Sequence, residues 1–306
     1  MRRVLLGMVT LSLSLYAGIY HLKPIEITKD IHCVIGDFNP PSKQNKGFVS
    51  NMCYVDIGDS LVVLDAGPTY NFAKEFYNLM RKDYPNKKVS AVVLSNYHDD
   101  RTMGASYFKS IGVKIIGYKN INDDIKEDPG HFKRMVRVTT KDEYKNTKIT
   151  YADTLVDDGY KIKGSKKTLE ILKLSPVSEE KSDIVIYSKD DKFLFAGNIV
   201  FNGRMLNYTT HSNVDGWIEA LEKISKMDLK YILGGHGKEY DKHSYTRSLE
   251  YLKILKTDVK KAYDDGLDMI DVPKHVRDSK FKGINFYEKL NYLNISHYYD
   301  QLEWAE

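Results

Sequence analysis

The sequence predicts an α/β fold in which two β-sheets pack face to face with helices outside, a four-layer αββα sandwich. Three observations predict it. A strand-rich segment followed by a helix and a further strand occurs twice along the chain. The apolar runs in these segments are short and end at Gly, Pro or Asp, as buried strands do. Between them lie stretches whose apolar residues recur at helical spacing.

Ile25 to Ile35 and Met52 to Ile57 read as strands, separated by a loop carrying Pro40, Pro41 and Gly47. Ser60 to Ala66 is a buried strand that ends in the turn Asp65-Ala66-Gly67-Pro68. Phe72, Phe76, Leu79 and Met80 mark a helix, and Val89 to Ser95 returns as a buried strand. The polar loop Asn96 to Arg101 leads to a second helix through Tyr107 and Phe108, then to the strand Val113 to Gly117. Ile121 to Thr147 is charged and irregular, which suits helices and loops over one face. Tyr160 to Lys163, Thr168 to Leu174, Ile184 to Ser188 and Phe193 to Ala196 are short strands. A helix carries Trp217, Leu221 and Ile224, followed by the strand Tyr231 to Leu233 and the turn Gly234-Gly235-His236-Gly237. The tail from His243 to Glu306 is helical, with Leu249, Leu252, Leu255 and Val259 on one face.

Composition narrows the class. With 306 residues, 42% of them hydrophobic and 29% charged, the chain can bury a full core and is not a disordered segment. The formal charge of +4 comes from lysines interspersed with acids, with no basic block that would engage nucleic acid. Arg2 and Arg3 precede an apolar run from Val4 to Tyr20, the pattern of an export signal. Ala17 and Gly18 are the best cleavage candidates, although the run also suits an N-terminal membrane anchor. Residues 1–24 are therefore a signal peptide or an anchor, and the protein is expected in the periplasm or secreted, or held in the inner membrane. Export permits a disulfide between Cys33 and Cys53, which lie on consecutive strands; whether they bridge is a matter of geometry.

The segment Leu94 to Arg101 carries the chemistry. His98 and Asp100 stand two residues apart on a loop leaving a buried strand, so their side chains can converge on one volume. Loops also carry His and Asp merely for solvation, and other elements must decide.

Asp65 at a strand end, the His98–Asp100 loop, the stretch Pro176 to Glu179, Phe195-Ala196-Gly197-Asn198 and Gly234 to Gly237 occur in the order and spacing of the metallo-β-lactamase superfamily, which the chain resembles. The resemblance implies a metallo-β-lactamase-like domain over 25–240, with a helical extension at 241–306 packed on it. It implies a zinc centre in which His98, Asp100 and His236 are the surviving ligands. Asn96 and Arg101 replace two family histidines, and either Ser178 or Glu179 occupies the place of a third. Asn198 stands where the bridging acid belongs, so Asn198 and Glu179 are the remaining candidates for a third donor. Asn96, Arg101 and Ser178 are expected to line the site, and Asp65 to orient the metal loop through hydrogen bonds. The form Asn-x-His-x-Asp-Arg resembles the mono-zinc subclass, whose zinc is held by the Asp, a Cys and the last His; here only Asp100 and His236 carry over.

An amide oxygen is a poor zinc donor, and Arg101 would place a fixed charge beside a second cation. The lysine that pairs the carboxylate of β-lactams corresponds to Phe201, with Arg204 near but out of register, so a genuine β-lactamase is not expected. Of the other histidines, only His211, shortly after Asn198, is placed to approach the site. Two functions follow. One is an exported hydrolase with at most one weakly held zinc, in which Asp100 or His98 positions or deprotonates the water that attacks an ester, amide or thioester. The other is a catalytically inactive periplasmic binding or accessory protein that keeps the fold and its cleft. Either way the partner is a small molecule.

Overall fold

The computed structural model describes residues 18–128, 130, 132–276 and 279–304. The export reading falls mainly on residues 1–17, outside the described residues. Seven strands form the first sheet: β1 Pro24–Thr28, β2 Ile31–Val34, β3 Met52–Asp56, β4 Ser60–Leu64, β5 Lys88–Leu94, β6 Lys114–Tyr118 and β7 Thr154–Val156, hydrogen-bonded in that order. β1 to β4 pair antiparallel and β4 to β7 parallel. The second sheet has the order β12-β11-β10-β9-β8, with β8 Tyr160–Lys163, β9 Thr168–Leu172, β10 Val185–Ser188, β11 Phe193–Phe201 and β12 Tyr231–His236.

Three apolar cores define the layers. Side chains such as Val62, Val93 and Ile116 of the first sheet meet Ile171, Ile186, Phe195 and Leu233 of the second in the central core. The outer face of the first sheet is covered by α1 Tyr70–Asp83 and α3 Ala105–Ser110, through Phe72, Phe76 and Phe108; α2 Asp99–Thr102, α4 Ile121–Glu127 and α5 Lys133–Val138 are short helices of the same half. The outer face of the second is covered by α6 Val214–Lys226, through Trp217, Leu221 and Ile224. Each long covering helix starts on a side-chain cap: Thr69 Oγ1 accepts from Phe72 N, and Asn213 Oδ1 from Gly216 N. The architecture is the αββα sandwich expected from the alternation of strands and helices.

Three local differences have physical causes. Ile25 to Ile35 is a hairpin rather than one strand, because Asp30 turns the chain and buries its carboxylate against Lys166 and Lys167 of the β8–β9 connection. Thr154–Val156 adds an edge strand that its sequence does not announce, since an edge needs only one paired side. Gly234 to His236 belongs to β12 rather than to a turn, because both glycines pass close to β11; a Cβ on Gly234 would lie 2.2 Å from the Val200 carbonyl oxygen.

The C-terminal residues form α7 Thr246–Asp264, the short α8 Val272–His275 and α9 Tyr287–Glu303. Leu252, Leu255 and Val259 of α7 join the outer core beside α6. Asn294 of α9 accepts from Tyr208 N at 2.8 Å and donates to the Leu206 carbonyl at 3.1 Å. These bonds fix the segment after β11 that forms one lip of the cleft. Among the described residues no helix is long and apolar enough to cross a membrane.

Candidate functional site

The site begins with a buried ion pair. Asp65 follows β4 in the left-handed region at φ 61°, where its carboxylate accepts from Ser95 N and Ser95 Oγ, both at 2.7 Å, and from Arg101 Nη1 at 2.6 Å. The Arg101 carbonyl in turn accepts from Ala66 N and Gly67 N, so the strand end and the loop lock each other. Burial works against the Arg101 charge, but Asp65 and Asp100 outweigh it and hold the guanidinium ionised. The Arg101 charge thus belongs to a neutralised structural pair rather than standing free in the cleft.

The other end of the Arg101 guanidinium donates to Asn198 Oδ1. Gly235 makes room for this bond: a Cβ there would lie 2.1 Å from Arg101 Nη2 and 2.5 Å from Asn198 Oδ1. With its oxygen engaged, Asn198 turns its amide N–H toward His98 Nδ1 at 3.1 Å. His98 Nδ1 is therefore the acceptor nitrogen, and Nε2 donates to Glu180 Oε1 at 3.3 Å. Burial lowers His98 from 6.5 to about 4, keeping the ring neutral. Burial raises Glu180 from 4.5 to about 7, opposed by His211, whose Nδ1 lies 3.6 Å from Glu180 Oε2. Behind this pair, Asn96 donates to Asp183 and accepts from His98 N.

Asp100 and His236 form the second half. His236 Nδ1 is 2.7 Å from the Val49 carbonyl, which can only accept, so Nε2 carries the lone pair. That nitrogen is 3.9 Å from Asp100 Oδ2, and the ring stacks on Phe201 at 4.9 Å. Burial alone would raise Asp100, but Arg101, His236 and Arg134 outweigh it and hold the carboxyl below the usual range. Asp100 Oδ1 is buried without a hydrogen bond. The loop that carries His236 is tied down by Asn51, whose Nδ2 donates to the carbonyls of Gly234 and Gly237.

Zinc needs three protein donors around an open fourth position. Asp100 with His236, and His98 with Glu179 Oε2, are two pairs, each 3.9 Å apart. Among the described residues no group of three His, Cys, Asp or Glu side chains is placed to hold an ion. Asn198, at the position where a shared donor would stand, offers hydrogens instead of a lone pair. The residues present do not fit a resident zinc ion.

The cleft has a volume of about 290 Å³, and His98, Asp100, Glu179, Asn198 and His236 all line it, as does His211. Glu179 turns inward, 1% exposed, with Oε2 lacking a hydrogen bond. Asn96, Arg101 and Ser178, expected to line the site, do not: each is buried behind the wall, bonded to Asp183, Asp65 and Ser175 respectively. Cys33 and Cys53 oppose each other across β2 and β3 in the central core and are bridged. Sequence reasoning missed Glu180, Asp183 and Arg134, and set Arg204 aside as out of register, although it lines the cleft. The acidic run Glu179-Glu180 was a signal, whereas Arg134, which holds Asp99 through two nitrogens, comes from the irregular stretch where spacing says nothing.

Two packed sheets with His, Asp and His converging at one sheet end define the scaffold of a metallo-hydrolase. The chain belongs to the metallo-beta-lactamase superfamily, whose family model matches residues 45–236. A metallo-beta-lactamase type 2 of Elizabethkingia meningoseptica is 23% identical over 210 residues, 67% of this chain and 76% of that protein. Among solved structures, a metallo-beta-lactamase from Pontibacter korlensis superimposes with a TM-score of 0.61 at 16% identity, covering 76% of this chain and 99% of its own. A double mutant of the sec-alkyl sulfatase PisA1 gives a TM-score of 0.72 at 17% identity, over 92% of this chain and 50% of its own. That span takes in part of the C-terminal helices. At these identities the structural likeness speaks to the fold.

Proposed function

We propose that this protein is a metallo-beta-lactamase-fold member that has left the zinc route and acts as an exported binding or accessory protein, holding a small molecule in its cleft. The observation that carries this reading is Asn198, whose oxygen is taken by Arg101 and whose N–H groups face His98 where a third zinc donor would be needed. Export is supported by the basic start, the apolar run that follows it and the Cys33–Cys53 bridge, which suits an oxidising compartment. The rival, a hydrolase with one weakly held zinc, draws on the Asp100–His236 pair at 3.9 Å, which falls one donor short.

The test is turnover. Purified protein, metal-free and zinc-loaded, is assayed against ester, amide, thioester and β-lactam substrates beside an Asp100→Ala variant. The binding reading expects no zinc-dependent turnover. Hydrolysis that requires zinc and disappears in Asp100→Ala would establish the rival instead.

A further inference from the structure

Resting on the binding reading, the unpaired groups of the cleft define its ligand. A buried polar group without a partner is costly, and its hydrogen-bonding character states what is missing. On one side the cleft offers acceptors that receive no hydrogen bond. Glu179 Oε2 and Asp100 Oδ1 are buried without hydrogen bonds, on residues that are 1% and 2% exposed. His236 Nε2 adds a lone pair beside Asp100. The cleft also offers a donor without an acceptor. Arg204 lines it with Nε buried and unbonded, its guanidinium 5.8 Å from the centre of the Phe286 ring. The other two arginines are committed, Arg101 to Asp65 and Arg134 to Asp99, although Arg134 Nη2 also lies 4.0 Å from Asp100 Oδ1, beyond hydrogen-bond reach.

A simple anion would satisfy Arg204 but would meet the Asp100 carboxylate, which is held ionised. A simple cation would satisfy the acceptors but leave Arg204 without a partner. A primary ammonium supplies three N–H donors, and a carboxylate supplies the planar acceptor that a guanidinium matches. We propose that the cleft binds a small amino acid-like zwitterion, its ammonium group received by Glu179 and Asp100 and its carboxylate by Arg204. The cleft volume of about 290 Å³ sits at the lower end for small-molecule sites, which limits the ligand to a compact one.

The experiment titrates the full-length protein calorimetrically with glycine, β-alanine, γ-aminobutyrate and ε-aminocaproate, which differ in the separation of their charges. Propylamine and propionate are the singly charged controls. At least one amino acid should bind about tenfold or more tightly than either control, the loss expected when one charge-assisted bond is missing. Glu179→Gln should reduce that affinity to the level of propionate, and Arg204→Met to the level of propylamine, with melting curves confirming that both variants fold. Failure of every amino acid to bind, or a control that binds as tightly, overturns the proposal on wild-type protein alone. Metal analysis of the same preparation separates the two readings. One zinc per chain overturns the proposed function, whereas metal-free protein that ignores amino acids overturns only the zwitterion.

Discussion

Arg101 donates from Nη2 to the side-chain oxygen of Asn198, and this bond decides which way the amide faces. The guanidinium itself is anchored on Asp65, so the amide is oriented by a group that cannot turn away. The amide nitrogen, donating to His98 Nδ1, consequently stands at the point where a metal centre would place a lone pair. Replacing that amide by a strong donor should restore what is missing. Asn198→Cys supplies a thiolate beside Asp100 and His236, and zinc affinity should rise at least about tenfold over wild type, a single added thiolate being a strong ligand. The gain should vanish in the double variant Asn198→Cys/His236→Ala, which separates a built site from a thiol acting alone. Equal zinc uptake by wild type and Asn198→Cys would show that the third donor is not what the site lacks.

Asp65→Ala should destabilise the fold severely. It removes the counter-charge of a guanidinium that is 0% exposed and two further bonds to Ser95. Breaking a buried pair from one side costs about 3–5 kcal/mol. Denaturant unfolding measures it directly. A loss below about 1 kcal/mol would mean that the pair does not hold the loop.

The His98–Glu180 contact makes an unusual statement about acid stability. His98 is lowered from 6.5 to about 4, so between these values the unfolded chain holds the extra proton and stability falls as the pH falls. Glu180 is raised from 4.5 to about 7, so there the folded chain holds the extra proton and stability falls as the pH rises. Between pH 4.5 and pH 6.5 the two slopes oppose each other. In Glu180→Gln, whose amide oxygen still accepts from His98, only the histidine slope is left. Relative to wild type, its stability should then climb with pH across that window by up to ~1.4 kcal/mol per unit. Parallel stability curves for the two proteins would contradict the assignment.

The bridge between Cys33 and Cys53 closes a loop with a sequence separation of 20. Removing it in Cys33→Ala/Cys53→Ala should lower stability by about 3 kcal/mol, the entropy of a loop of this size. Thiol counting on unreduced protein from an oxidising compartment should find none. Two free thiols per chain would refute the bridge.

Much of the fold was legible because the strands here are short, apolar and bounded by turn residues, and because the helices between them keep their period. His98 and Asp100 were legible from their spacing on the loop, and the Asp65 anchor and His236 from the family resemblance. The state of the site was not, since it rests on orientations that no pattern encodes. Whether Glu179 faces inward depends on how the segment after β9 packs on His98. Whether Arg101 confronts the cleft or hides behind it depends on Asp65 and on the absence of a side chain at Gly235. Arg134 sits on the short helix Lys133–Val138 and Arg204 in the irregular segment after β11, and their side-chain partners, Asp99 and Phe286, are distant in sequence. For the same reason the edge strand Thr154–Val156 escaped notice: its partner β6 defines it, not its own three residues.

Metal analysis of purified wild-type protein decides whether the cleft forms a zinc site. The protein would be loaded with zinc at neutral pH, desalted and measured beside Asp100→Ala and His236→Ala. Wild type should retain far less than one zinc per chain and be indistinguishable from both variants. One zinc per chain in wild type, lost in both variants, would contradict the binding reading.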